Sequence, residues 1–220
     1  MRVLGLAASP RGRKSLTLGL VEAGVAGAVG AGAEGALIDI SSMSILRCKD
    51  CGDCYRTGHC SQDDDYSFVL ESMLAADGLI LGSPAYSGGV TPEAERLMER
   101  MGDAVHCRLL EGKYGFSISI SRDGNEKRAS AHANRFLNDC GVTTTGSLSV
   151  SAGKKGLPDG VPAEAGRLGA DLVAAIRERR RYPEQADARD RFLTEFAGAV
   201  RENKAAWARD YEHWAKKGWL

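Results

Sequence analysis

Short apolar runs alternate with helical periodicity along the first two thirds of the chain. Residues 2–8, Arg-Val-Leu-Gly-Leu-Ala-Ala, lead into Ser9-Pro10-Arg11-Gly12, which reads as a buried strand entering a turn. From Ser15 the spacing of Leu16, Leu18, Leu20, Val21 and Val25 is helical, although many glycines blur the extent of that helix. A second strand is expected at 36–40. A helix follows at 66–74, introduced by Asp63, Asp64 and Asp65, whose carboxylates suit a helix N-terminal dipole. Residues 78–82 form the third strand. Thr91-Pro92 opens the next helix, with Thr as cap and Pro at the first helical position. Residues 114–120 alternate as a fourth strand, a helix runs to about Leu137, and the β-branched stretch 143–150 is the fifth strand. Strand and helix thus alternate five times, which predicts an α/β fold: a parallel sheet covered on both faces and joined by right-handed crossovers.

The last third follows another pattern. Residues 152–160 read as a loop and 162–180 as a helix whose basic end, Arg177-Glu178-Arg179-Arg180-Arg181, complements the C-terminal dipole rather than marking a nucleic-acid patch. Pro183 breaks it. From 187 to 217 a single long helical stretch carries Phe192, Phe196, Val200, Trp207, Tyr211 and Trp214 on one face, a packing seam first and a subunit contact second. The expected organisation is a domain over 1–180, with a cysteine-rich insertion at 48–60, and a helical extension over 187–220.

Composition narrows the partners. The 220 residues are 43% hydrophobic, enough for a real core, and Lys+Arg and Asp+Glu balance at 29 each. No bulk field therefore recruits nucleic acid or an anionic membrane. The N-terminal apolar run is too short for a signal segment and no stretch reaches membrane-spanning length, so a cytoplasmic protein is expected. Cys107 and Cys140 read as free, buried thiols, and His106 and His132 as packing or helix-surface residues rather than bases.

Four of the six cysteines, Cys48, Cys51, Cys54 and Cys60, fall within thirteen residues, separated by two, two and five intervening positions. Such spacing lets a compact loop wrap a [4Fe-4S] cluster, with Gly52 and Gly58 supplying turning freedom. Zinc competes, since it also accepts four thiolates, though its structural sites usually draw cysteine pairs from separate turns. A disulfide pair is the third possibility. His59 beside the fourth cysteine reads as a loop residue or a donor near the sulfurs.

In an open parallel sheet, ligands bind beyond the carboxyl ends of the strands, where the loops after the first and third strands diverge. After the first strand, Ser9, Arg11, Lys14, Ser15 and Thr17 offer hydroxyls, cations and a helix N-terminus to an anion. The loop is neither Gly-x-Gly-x-x-Gly nor a Walker loop, so a monophosphate suits it better than a dinucleotide or a nucleoside triphosphate. After the third strand, Ser83, Pro84, Ala85, Tyr86, Ser87 and Gly88 set an aromatic ring beside glycines that let backbone approach a flat ring system. After the fourth, Ser121, Arg122, Asp123 and Gly124 can bond a polar ring edge. A phosphate, a tail and a flat heterocycle together describe FMN. Tyr86 and Arg122 are the possible substrate contacts, and Arg122, Arg11 and Lys154 the candidate cations over the flavin. No side chain is required as a covalent catalyst.

With Ser9-Pro10-Arg11, the compact cysteine loop, the run 76–86 through Gly82-Ser83-Pro84-Ala85-Tyr86, and Glu99-Arg100 where Asp-Arg is usual, the chain resembles the iron-sulfur flavoproteins within the flavodoxin-like NAD(P)H-dependent FMN reductases. The resemblance covers residues 1 to about 150, and Asp210-Tyr211-Glu212-His213-Trp214 also looks like family endings. It implies a flavodoxin-like sheet of order 2-1-3-4-5, bound FMN, a [4Fe-4S] cluster on the four cysteines, and a homodimer or homotetramer in which one subunit's cluster lies near another's flavin. Leu16 stands where the family often has a hydroxyl, which Thr17 can replace; Glu95 stands where a Lys is usual, and Cys60 lacks the following Pro of bacterial ferredoxins. The expected function is an oxidoreductase that passes electrons between a two-electron substrate at the flavin and a one-electron, ferredoxin-like carrier, with NAD(P)H possible as donor. The alternatives are a biosynthetic dehydrogenase of a small cyclic metabolite, such as 2-amino-4-deoxychorismate, an FMN or quinone reductase with a zinc or vestigial cysteine site, and a sensor that merely holds FMN. Because the cysteine loop follows the second strand, it is expected at the same sheet edge as the phosphate loop.

Overall fold

The computed structural model describes residues 1–153 and 156–220; Lys154 lies outside the described residues. Its elements are β1 (Arg2–Ala7), α1 (Leu16–Gly30), β2 (Glu34–Asp39), α2 (Asp53–Thr57), α3 (Tyr66–Ala75), β3 (Gly78–Pro84), α4 (Pro92–Arg100), α5 (Gly102–His106), β4 (Tyr114–Ser121), α6 (Glu126–Asp139), β5 (Thr143–Ser151), α7 (Val161–Glu178), α8 (Pro183–Glu202) and α9 (Ala208–Lys217). All five strands pair in parallel, in the order β2-β1-β3-β4-β5. This is the flavodoxin-like order.

The period of two along the strands sorts side chains to two cores. Val3, Ala7, Ile80, Phe116 and Ile118 face α1 and α7, while Leu4, Leu6, Leu79 and Leu81 face the side of α3 to α6. On β4 the alternation of Ser and Ile does not separate solvent from core, because both faces are covered. Ser117 and Ser119 are buried, and Ser117 Oγ donates to the Ser130 carbonyl of α6 at 2.9 Å.

The glycines that blur helix periodicity in α1 have a packing use. A Cβ on Gly27 would stand 2.0 Å from the Gly166 carbonyl oxygen, and one on Gly169 would stand 1.8 Å from that of Gly24. The α1 and α7 backbones therefore touch along a seam that no larger residue fits.

Three helical expectations are corrected. The stretch 187–217 is not one helix: α8 ends at Glu202, Asn203 Nδ2 closes on the Ala199 carbonyl at 2.9 Å, and α9 restarts at Ala208. The seven-residue step from Val200 to Trp207 is where the chain turns. Pro183 does not merely stop a helix, since α7 already ends at Arg179 in the left-handed region and Pro183 opens α8. The cysteine stretch is also not wholly a loop, for Gly52 and Gly58, with φ of 71° and 81°, bracket the short helix α2.

The aromatic face forms a third, smaller core. Trp214 and Val200 are fully buried with Cys107, and Trp214 Nε1 donates to the His106 carbonyl at 2.9 Å. His106 stacks on Tyr55 of α2 with ring centroids 4.3 Å apart, and its Nδ1 lies 3.0 Å from Asp210 Oδ2. The extension is thereby packed against the cysteine segment. Cys107 and Cys140 are free and buried. No helix among the described residues is long and apolar enough to cross a membrane.

Candidate functional site

After β1 the chain turns to one face of the sheet, and after β3 to the other. That divergence opens a crevice at the carboxyl edge, where ligands of such sheets bind. A hollow of about 280 Å³ lies there, lined by Ser9, Arg11, Ser15, Thr17, Pro84, Ala85, Tyr86, Ser121, Arg122 and Asp123 together with Leu16, Ile120 and Ala152. Ten residues singled out by sequence thus meet at one place. A larger hollow of about 1100 Å³ lies at the opposite edge, between the start of β4, the start of β5 and α8, away from the switch point.

Each loop is shaped by its own hydrogen bonds. Ser15 Oγ caps α1, accepting from Thr17 N at 3.1 Å and Leu18 N at 3.3 Å, so its oxygen lone pairs are already engaged. Thr17 is buried and reaches the hollow at the helix N-terminus, where the dipole favours an anion. Tyr86 and Gly89 exchange both backbone bonds, at 3.0 and 2.9 Å, closing a tight turn around Ser87, whose φ is 49°. This holds the half-exposed Tyr86 ring at the rim of the hollow. Ser121 Oγ accepts from Gly124 N and Asn125 N, each at 3.1 Å, and donates to the Glu126 carboxylate. That bond holds Glu126 below the usual carboxylate range, and Asn125 does the same for Asp123.

Five predicted residues do not line the hollow: Lys14, Ser83, Ser87, Gly88 and Gly124. Ser83 is buried on the inner side of β3, where Oγ accepts from Thr91 N at 2.9 Å and donates to the Pro84 carbonyl at 3.0 Å. Thr91 Oγ1 in turn donates to the Ala8 carbonyl at 2.8 Å. Ser83 therefore staples the ends of β1 and β3 to the start of α4. Gly88 faces Arg128, and Gly124 serves the turn with φ of 82°. Ile120 and Ala152 escaped the sequence reading because an apolar residue ending a strand carries no chemical signal. The hollow fits FMN in kind: buried hydroxyls, a cation and a helix N-terminus for phosphate, then an aromatic ring and a polar turn for the ring system.

The cysteine segment stands elsewhere, and the expectation of a shared edge is corrected. Cys48 N donates to Glu99 Oε2 at 3.3 Å, and Arg100 Nη2 donates to Cys60 Sγ at 3.2 Å. Both partners lie at the C-terminal end of α4, whose start at Thr91 touches the β1 end. Nine helical residues, about 13 Å of rise, separate the two ends. Chain order misled here because residues 43–48 run back along α4, with Arg96 Nη1 donating to the Ile45 carbonyl at 3.3 Å and Arg100 Nη1 to that of Leu46 at 2.9 Å.

Around the thiols, Cys48 Sγ accepts from Asp50 N at 3.4 Å, Cys51 Sγ lies 3.7 Å from Ser61 Oγ, and burial pushes the Cys54 thiol up to about 12. Among the described residues no three His, Cys, Asp or Glu side chains stand in a metal-holding arrangement. The donor set nevertheless suits a thiolate-bound group: four sulfurs on a glycine-bracketed loop, two of them already receiving N–H bonds. His59 sits on the exposed turn, with its amide donating to Thr57 Oγ1 at 3.3 Å.

Known proteins resemble this chain in sequence and in fold. An iron-sulfur flavoprotein of Archaeoglobus fulgidus is 28% identical across the full length of both chains. Among solved structures, a flavone reductase aligns with a TM-score of 0.62 at 20% identity, over 83% of this chain and 66% of the other. A flavodoxin from the domain Archaea aligns at 0.55 and 16% identity, over 80% and 99%. These two show the shared fold. The family model described as NADPH-dependent FMN reductase matches residues 1–156, and the chain therefore belongs to that family of flavin-dependent oxidoreductases.

Proposed function

We propose that the chain holds FMN in the carboxyl-edge hollow and a [4Fe-4S] cluster on Cys48, Cys51, Cys54 and Cys60. It then passes electrons between a small two-electron substrate at the flavin and a one-electron, ferredoxin-like carrier. The observation that carries the reading is the presence, on one chain, of a flavin-suited hollow and a separate four-thiol loop. When bound, a flavin supplies two-electron exchange with organic molecules and a cubane one-electron exchange.

The chain's own residues do the rest. Ser9, Arg11, Thr17 and the start of α1 hold the phosphate, Pro84 to Tyr86 bound the ring, and Ser121 to Asp123 orient its polar edge. Tyr86 and Arg122, at the open rim, contact the substrate. NADPH, which the family description names, is the first donor to try. A homodimer or homotetramer, in which one subunit's cysteine loop lies near another's flavin, is part of the proposal and rests on the family resemblance alone. A reducing, cytoplasmic setting suits unpaired thiols.

Iron, sulfide, zinc and flavin analysis of anaerobically purified protein, with an EPR spectrum after reduction, tests the reading. Iron with flavin supports it, and flavin with zinc in the thiol site overturns it. The Cys54→Ser variant is expected to lose the iron and keep FMN; joint loss would instead make the loop a folding element of the flavin site.

A further inference from the structure

We infer that Arg100 sets the reduction potential of the group held by the cysteine loop, by donating a hydrogen bond to Cys60 Sγ. The inference rests on the proposal that the four cysteines hold an iron-sulfur cluster. Arg100 ends α4 with its side chain only 1% exposed, and Asp64 beside it is 2% exposed. Nη1 donates to Asp64 Oδ2 at 2.6 Å and to the Leu46 carbonyl at 2.9 Å, while Nη2 donates to Asp64 Oδ1 at 3.2 Å and to Cys60 Sγ at 3.2 Å. The guanidinium lies over the Tyr66 ring, 4.5 Å from its centroid. Asp64 is itself fixed by Leu46 N at 2.9 Å and Tyr66 N at 3.0 Å. The donor is therefore locked in place at both ends of the loop.

A purely structural ion pair needs only Asp64. The bond from Nη2 to sulfur is an addition, and among the described residues Cys60 is the one loop cysteine that receives a side-chain N–H. Because Asp64 offsets the cation's charge at close range, Arg100 presents to the sulfur mainly a directed N–H dipole. Adding one electron makes thiolate sulfur a better acceptor, so this bond is stronger in the reduced state and raises the potential. Arg100 is a positioning and tuning residue, in contact with a ligand atom but not with substrate.

The test compares wild type with Arg100→Lys, which keeps the charge but loses the planar fork, and with the neutral pair Arg100→Gln plus Asp64→Asn, which avoids stranding a buried carboxylate. Each protein, purified anaerobically, is titrated with dithionite while EPR follows the cluster and visible absorbance the flavin. The expected result is iron and FMN content as in wild type, an unchanged flavin potential, and an equilibrium constant for cluster reduction lower by about tenfold, which is about 59 mV for one electron. Unchanged cluster potentials in both variants overturn the inference, as does loss of iron in both, which would reduce Arg100 to a loop anchor. A wild type without iron overturns the parent proposal and the inference together, and is told apart by the metal analysis alone.

Discussion

Asp103, at the second position of α5, is buried, and among the described residues its Oδ1 has no hydrogen-bond partner. Burial pushes its carboxyl above the ordinary 3.8. A carboxyl whose pKa is higher folded than unfolded favours the folded state most below the unfolded value, and that advantage is lost as pH rises toward the folded one. The Asp103→Asn protein is therefore expected to melt at a higher temperature than wild type at pH 7, and the gap should close below about pH 4. Thermal unfolding across that pH range decides it; equal melting temperatures at pH 7 would mean the carboxylate is relieved by water. Nothing in the sequence marked Asp103, because α5 is enclosed by contacts from distant parts of the chain, such as those of His106 with Tyr55, Asp210 and Trp214. Ser83 shows the same limit: its neighbours Pro84, Ala85 and Tyr86 reach the hollow, but the alternation of side chains along β3 turns its hydroxyl inward. Thr17 was legible, since a hydroxyl at the second position of the helix after the first strand falls at that helix's N-terminus.

At the level of elements, the five strands and their order followed from apolar runs and the family resemblance, whereas the helices held the surprises. Glycines that lower helix propensity in α1 are what lets α7 approach it. Gly27→Ala or Gly169→Ala should destabilise the protein by about 1–3 kcal/mol through overpacking, and more if the backbones must separate. Gly19→Ala, on the same helix with nothing within 4 Å of its added Cβ, should be neutral or slightly stabilising. Urea unfolding of the three variants measures this, and a Gly27→Ala protein as stable as Gly19→Ala would remove the seam from the account. The break between α8 and α9 was hidden because the aromatic residues keep a helical register through it. Only the wide step from Val200 to Trp207 hinted at a turn.

For the whole molecule, the informative feature is the separation of the two candidate sites by the length of α4. The balanced charge spoke against a polyanion partner, and motif spacing suggested two kinds of site, but neither could say how far apart folding would set them. That distance depends on residues 43–48 returning along α4, held by Arg96, Glu99 and Arg100, whose partners lie about fifty positions away in the chain. As proposed, the chain carries both a two-electron and a one-electron centre. Counting electrons tests this most directly: an anaerobic reductive titration of the purified protein, followed by visible absorbance, should take up about three electron equivalents per chain, and about two in Cys54→Ser. A wild type that is fully reduced by about two equivalents would contradict it.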